Sequence, residues 1–262
     1  MTAQTAPSGE PTTSLGARLR SLLPAERWGA LGFPGRWVGG AAMVLGPVLM
    51  LAGALLRARV HFFYPDQLAA VQERPVLMST AYGLFAAGNV LLWPAVVTLA
   101  SRIGERRPGW ALWGGVLAVF GLFARAFHAG VDHLAFQVVH AEGADAATAI
   151  VSSGYGAFHV FSVLNLAILA GWTVLAVGAW RAGVLRPWRA VALGLAAALP
   201  LGVLKGTTPL SVVALVGLCA ALVPLGLSLL RSRPRPRPAT ALRWIAVTAL
   251  VVGALTLLGQ AG

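Results

Sequence analysis

Charge is scarce in this chain. Only 11% of its 262 residues are Asp, Glu, Lys or Arg, where a water-soluble domain carries about a quarter. With 58% of the residues apolar and a mean hydropathy of +0.77, too little polar surface exists to cover a fold in water. That balance excludes an ordinary soluble domain, a disordered chain and a disulfide scaffold. Cysteine is limited to Cys219, so neither an intrachain disulfide nor a CxxC redox pair can form. Lysine is limited to Lys205, at the end of an apolar block, which removes a mid-membrane Schiff base of the retinal kind. HExxH, GxSxG and any fixed-period repeat are missing as well.

What the chain does have is apolar blocks. A helix needs roughly 20 mostly apolar residues to cross about 30 Å of hydrocarbon, because every backbone polar group must be paired within the segment. Blocks at 37–56, 80–99, 110–131, 155–180, 188–204, 209–230 and 241–258 fit this requirement. The fifth is short and holds Pro200, and the seventh is bordered by Arg243, so six spans is the alternative count. The expected fold class is all-α, a polytopic integral membrane bundle of seven transmembrane helices.

Orientation follows from arginine, since short cytoplasmic loops retain basic residues. A cytoplasmic N-terminus places fifteen arginines inside: Arg18, Arg20, Arg27, Arg36, Arg102, Arg106, Arg107, Arg181, Arg186, Arg189, Arg231, Arg233, Arg235, Arg237 and Arg243. Outside it leaves Arg57, Arg59, Arg74 and Lys205, with Arg125 within a span. Trp37, Trp110, Trp113, Trp180, Trp188 and Trp244 then fall at inner ends, and Tyr64, Tyr82 and Tyr155 at outer ends, where interfacial aromatics belong. The expected location is the cytoplasmic membrane, crossed several times.

Residues 1–36 read as a basic cytoplasmic tail, partly disordered, in which Leu15, Leu19, Leu22 and Leu23 form one short amphipathic helix on the inner leaflet. Residues 37–258 form the bundle. Within it, 231–240 is a cytoplasmic loop where alternating Arg and Pro forbid helix and favour an extended run against anionic lipid. The expected partners are the bilayer and its anionic inner-leaflet lipids. Nucleic acid is not expected, because the arginines lie between apolar blocks and not on one soluble face. Arginine in place of lysine, with abundant Ala, Leu and Gly, points to a GC-rich bacterial genome.

Polar side chains inside the spans are the candidate functional residues, since an ionisable group at the bilayer centre costs at least about 2.5 kcal/mol and requires a partner or a watery cavity. On the third block His128 lies about 60° and Asp132 about 20° from Arg125 around the helix, so the three share one stripe. Gly121, Ala118 and Gly114 continue it, and small residues let helices approach closely, so this face is expected to point into the bundle. Tyr155, His159 and Ser162 share an arc of about 60° on the fourth block, and Asn89 lies below Tyr82 on the second. The expected pocket, in the outer half, comprises Asn89, Arg125, His128, Asp132, Tyr155 and His159.

Four readings of that cluster are open, one of them a haem site with His128 or His133 opposite His159 as axial ligands, and the other three as follows. In the first, Arg125 and Asp132 form an intramembrane ion pair within a purely structural network. In the second, which leads among functional readings, the pocket binds or transports a small polar or amphiphilic ligand, with Arg125 facing an anionic group and His128 beside Asp132 relaying protons. In the third the protein is a membrane-embedded enzyme acting on a lipidic substrate, with His128, Asp132 and His159 as zinc ligands around an open fourth position. No single residue is assigned as catalytic, and no cofactor is identified.

Overall fold

The computed structural model describes residues 32–154, 156, 158–232 and 238–260. The 1–31 tail with its amphipathic helix, Tyr155 and the Arg/Pro stretch at 233–237 lie outside the described residues. The elements are helices α1 (Arg36–Leu56), α2 (Tyr64–Glu73), α3 (Pro75–Gly104), α4 (Pro108–Glu142), α5 (Ala144–Gly154), α6 (Val160–Arg181) and α7 (Pro187–Gly194), a 3-10 turn (Leu195–Ala198), α8 (Pro209–Arg231) and α9 (Pro238–Gln260). No strand occurs among the described residues. Five helices, α1, α3, α4, α6 and α8, are long and apolar enough to cross a membrane, which marks the chain as a multi-pass helical membrane protein.

Five helices, α3, α4, α7, α8 and α9, begin at proline. Proline suits that position because the first amides of a helix have no partner within it and its φ is already helical. Four of these prolines follow arginine, as Arg74-Pro75, Arg107-Pro108, Arg186-Pro187 and Arg237-Pro238. Because helices start at these steps and not where apolarity begins, α3 and α4 outrun the apolar blocks at 80–99 and 110–131. The 30 residues of α3 and 35 of α4 rise about 45 and 52 Å, well past a hydrocarbon core of about 30 Å. Their overhanging ends join α2 and α5 in a small separate core of Leu68, Val71, Met78, Tyr82, Phe136, Val139 and Ala147. This is a helical cap on one end of the bundle, and Ala144 N–H donating to Gln72 Oε1 at 2.9 Å ties α5 to α2.

The opposite end is basic. Arg36 Nη1 donates to Ser232 Oγ at 3.3 Å and Arg106 Nη1 to the Ala182 carbonyl at 2.9 Å, which draws the ends of α1, α3, α6 and α8 together there. Arg57 and Lys205 sit at the cap end.

Neighbouring helices close a ring. α1 packs on α3 and α8, α4 packs on α3 and α6, and α7 with the 3-10 turn fills the gap between α6 and α8. The small-residue stripe of α4 faces inward against α6. A Cβ on Gly121 would run into Ile168, and one on Gly171 into the Ala118 backbone, so glycine at both positions sets the α4–α6 separation. The core beneath the cap is apolar, with Met43, Leu99, Trp172, Leu175 and Leu215 fully enclosed. α9, a 23-residue apolar helix, buries none of its described side chains.

The fifth block, expected as a continuous helix over 188–204, differs. α7 and the 3-10 turn account for about 20 Å of rise, and from Leu199 to Thr208 the backbone is not helical. Pro200 is the physical reason. It offers no amide to the preceding turn and forces the residue before it out of the helical region, and Leu199 is extended at φ −66°, ψ 130°. Gly202 at φ 120° and Leu204 at φ 52° then carry the chain through left-handed backbone that a helix does not contain. The segment still runs from the basic end of α6 to the cap end of α8, as an interrupted rod.

A second proline has its own compensation. Pro224 inside α8 leaves the carbonyl of Ala220 without its helical donor. Arg189 of α7 supplies one, Nε reaching Ala220 O at 3.2 Å and Nη2 reaching Ala221 O at 2.5 Å.

Candidate functional site

The α4 stripe meets the interrupted segment. Lipid-exposed irregular backbone does not occur at membrane depth, so freed carbonyls and amides there must be answered by protein or by water in a cavity. Arg125 answers the carbonyls at the break, Nη1 donating to Pro200 O at 3.1 Å and Nη2 to Leu199 O at 3.2 Å. Asp132 answers an amide, its Oδ1 accepting from Leu204 N–H at 2.6 Å. Two turns of one helix thus grip both sides of the break, and both side chains are more than nine-tenths buried, at 8% and 9% exposure.

The expected Arg125–Asp132 ion pair is absent. Among the described residues the ion pair that forms is His61 Nδ1 with Asp66 Oδ2 at 2.7 Å, on the surface of the cap. Seven residues separate Arg125 from Asp132, a rise of about 10 Å, and each takes its partner from backbone that comes within closer reach.

Above the break lies a cavity of about 270 Å³ enclosed by α1, α3, α4, α8 and the interrupted segment. Arg125, His128 and Asp132 line it, as the shared stripe implies. So do three groups that the sequence reading left among loop charges or off the site: Arg57, Tyr82 and Lys205. Arg57 follows the last residue of α1 and is 4% exposed. Its guanidinium lies 4.0 Å from the Tyr82 ring centroid and 4.9 Å from that of Phe85. Tyr82 donates to Gln67 Oε1 at 2.9 Å, and the Gln67 amide donates to the His61 carbonyl, which anchors this wall to the cap. On the far wall Thr207 Oγ1 donates to the Ala54 carbonyl at 3.0 Å and Gly206 N–H to the Phe62 carbonyl at 2.9 Å. The exposed lining residues are Ser79, Gly83, His133 and Gln137, so the mouth opens between α3 and α4.

The other expected site residues sit apart. Asn89 is buried below the cavity, where Nδ2 donates to the Leu122 carbonyl at 3.3 Å and holds α3 to α4. His159 caps the N-terminus of α6 in extended backbone, its ring centroid 6.3 Å from that of His128, and Phe127 packs against both rings. Ser162, one turn further on, accepts from the His159 amide at 3.5 Å. Among the described residues no group of three His, Cys, Asp or Glu side chains is arranged to hold a metal ion, so the zinc set of His128, Asp132 and His159 is not assembled.

Signals for the missed residues were present. Proline and two glycines within eight residues of an apolar block, Pro200, Gly202 and Gly206, mark a break. A broken span needs polar partners from its neighbours, and Arg57, one residue past an apolar block, was in position to serve. Comparison with protein-family models, with curated proteins and with solved structures finds no match, so the site is read from its own geometry.

Proposed function

We propose that this is a protein of the cytoplasmic membrane, basic end toward the cytoplasm, that binds a small polar or amphiphilic ligand in the cavity beneath its cap. One observation carries the reading: Arg125, His128 and Asp132 surround a void where a purely structural network would pack them against one another. Buried polar side chains that converge on a concave space are the usual constitution of a ligand site. The orientation is supported by the gathering of Arg36, Arg106 and their companions at one end and by the retention of basic residues in cytoplasmic loops. The same arginines favour contact with anionic lipid.

Binding is favoured over carriage across the membrane, because the half of the bundle below Arg125 is closed by apolar packing. The test uses Gly83, which lines the mouth and has open space where a Cβ would stand. Gly83→Trp places a bulky side chain at the entrance from a Cβ that meets no neighbour within 4 Å. Native mass spectrometry of the detergent-purified protein is expected to show a bound small molecule in the wild type that Gly83→Trp loses, with the thermal midpoint of the emptied protein retained. A wild type that carries no such mass, or a variant that carries it equally, refutes the reading.

A further inference from the structure

The charge of the cavity wall says what kind of ligand it takes. Arg57, Arg125 and Lys205 line it, and Asp132 is the sole carboxylate among the lining residues. That carboxylate accepts from Leu204 N–H, and the Arg125 guanidinium donates to the Leu199 and Pro200 carbonyls. Arg57 differs from them. Its guanidinium carbon stands 4.0 Å from the Tyr82 ring centroid and 4.9 Å from that of Phe85, and its buried Nε has no hydrogen-bond partner among the described residues. Three cations at the wall of one void, against one carboxylate that is itself engaged by the Leu204 amide, favour an opposite charge there, and a carboxylate or phosphate supplies it. The Tyr82 and Phe85 rings beside it hold the side chain in place before the anion arrives, so little rotamer freedom is lost on binding.

Position adds to this. The mouth residues Ser79 and His133 lie about 38 Å along α3 and α4 from the basic ends of those helices, beyond a hydrocarbon core of about 30 Å. The entrance is therefore at headgroup level, and polar ligands reach it without crossing acyl chains.

We infer that the ligand of this cavity is an oxyanion, a carboxylate or phosphate group held by Arg57, with Arg125 and Lys205 adding positive potential; the inference rests on the cavity reading above. Two sources offer that group, a soluble small anion and the head of an anionic phospholipid. The experiment is thermal unfolding of the purified full chain in a neutral maltoside detergent. One arm titrates inorganic phosphate against chloride at matched ionic strength. The other adds phosphatidylglycerol against phosphatidylcholine. The expected result is a saturable rise in midpoint with phosphate or with phosphatidylglycerol and none with chloride or phosphatidylcholine. In Arg57→Gln the half-saturating concentration rises about tenfold or more, the loss expected of a charge-assisted hydrogen bond, and Arg57→Lys recovers part of it. A response to phosphate identifies a soluble anion as the source, and a response to phosphatidylglycerol alone identifies a headgroup. Wild-type protein that answers neither anion above its control, or an undiminished response in Arg57→Gln, overturns the inference. Should Arg57→Gln fail to fold, Gly83→Trp takes its place, and an undiminished response in that variant is equally fatal. A neutral or cationic molecule that co-purifies with the wild type and is lost from Gly83→Trp overturns the anion inference while leaving the cavity reading intact.

Discussion

Asp132 offers the sharpest test of the grip on the interrupted segment, because two substitutions separate its charge from its role as acceptor. In Asp132→Asn the amide oxygen still stands where Oδ1 accepts from Leu204 N–H at 2.6 Å, so the bond survives and only charge assistance is lost. Hydrogen bonds to charged groups contribute about 1.5–3 kcal/mol and neutral ones about 0.5–1.5, so the cost is about 1 kcal/mol. In Asp132→Leu the acceptor disappears and a buried amide is left unanswered, which costs about 1–3 kcal/mol for the orphaned group on top of the bond itself. Converted at roughly 2–4 °C per kcal/mol for a chain of this size, asparagine lowers the midpoint by a few degrees and leucine by about 5–24 °C. Differential scanning fluorimetry of both variants in one detergent measures the contrast. A leucine variant as stable as the asparagine variant means that the Leu204 amide does not depend on Asp132, and the account of the break is then wrong.

Other consequences follow from the same contacts. Arg125→Gln strips two donors from the Leu199 and Pro200 carbonyls and is expected to cost about 3 kcal/mol, read as a lowered midpoint; a loss under about 0.5 kcal/mol refutes the role. Arg189→Ala is expected to cost about 1–2 kcal/mol in the native background and almost nothing beside Pro224→Ala, which returns an amide to the Ala220 carbonyl; a double-mutant cycle in a denaturant series reads the coupling, and additive effects dismiss it. Gly171→Val drives a side chain into the Ala118 backbone and is expected to lower stability by about 1–3 kcal/mol or more, checked by the temperature at which the protein leaves the monodisperse peak in size exclusion. Truncation after residue 232 removes α9, whose described side chains are all exposed, and the midpoint of the remaining bundle is expected to stay where it was.

Much of this architecture was legible in residue order because apolarity over about 20 residues is a strong constraint. Five of the seven expected blocks contain a spanning helix, and helical rotation alone put Arg125, His128 and Asp132 on one face together with the glycines that meet α6. What composition could not convey was continuity. The 188–204 block is as apolar as its neighbours, but Pro200 and the glycines after it unwind the chain, and a hydropathy window does not sense that. Pairing was misjudged for a related reason. Arg125 and Asp132 share an azimuth, which says nothing of the two turns of height between them, and Asn89, seven residues further along α3 than Tyr82, falls below the cavity by the same arithmetic. Arg57 and Lys205 looked like loop charges because sequence distance from an apolar block does not report how a returning segment folds back over it.

The break and the α4 stripe also constrain how the protein enters the bilayer. Alone, α4 would carry the Arg125 charge inside the hydrocarbon, where a charge costs up to about 2.5–3.5 kcal/mol, and the 187–208 segment would bring unsatisfied peptide groups at several kcal/mol apiece. Neither is a good passenger for the insertion machinery by itself. Together each cancels the other's penalty, so the late-synthesised segment must find partners made some seventy residues earlier before both can settle. Biogenesis of this chain is then a partnership between two poor insertion signals, and a lineage that makes the 187–208 segment a continuous helix is free to lose the two charges on α4.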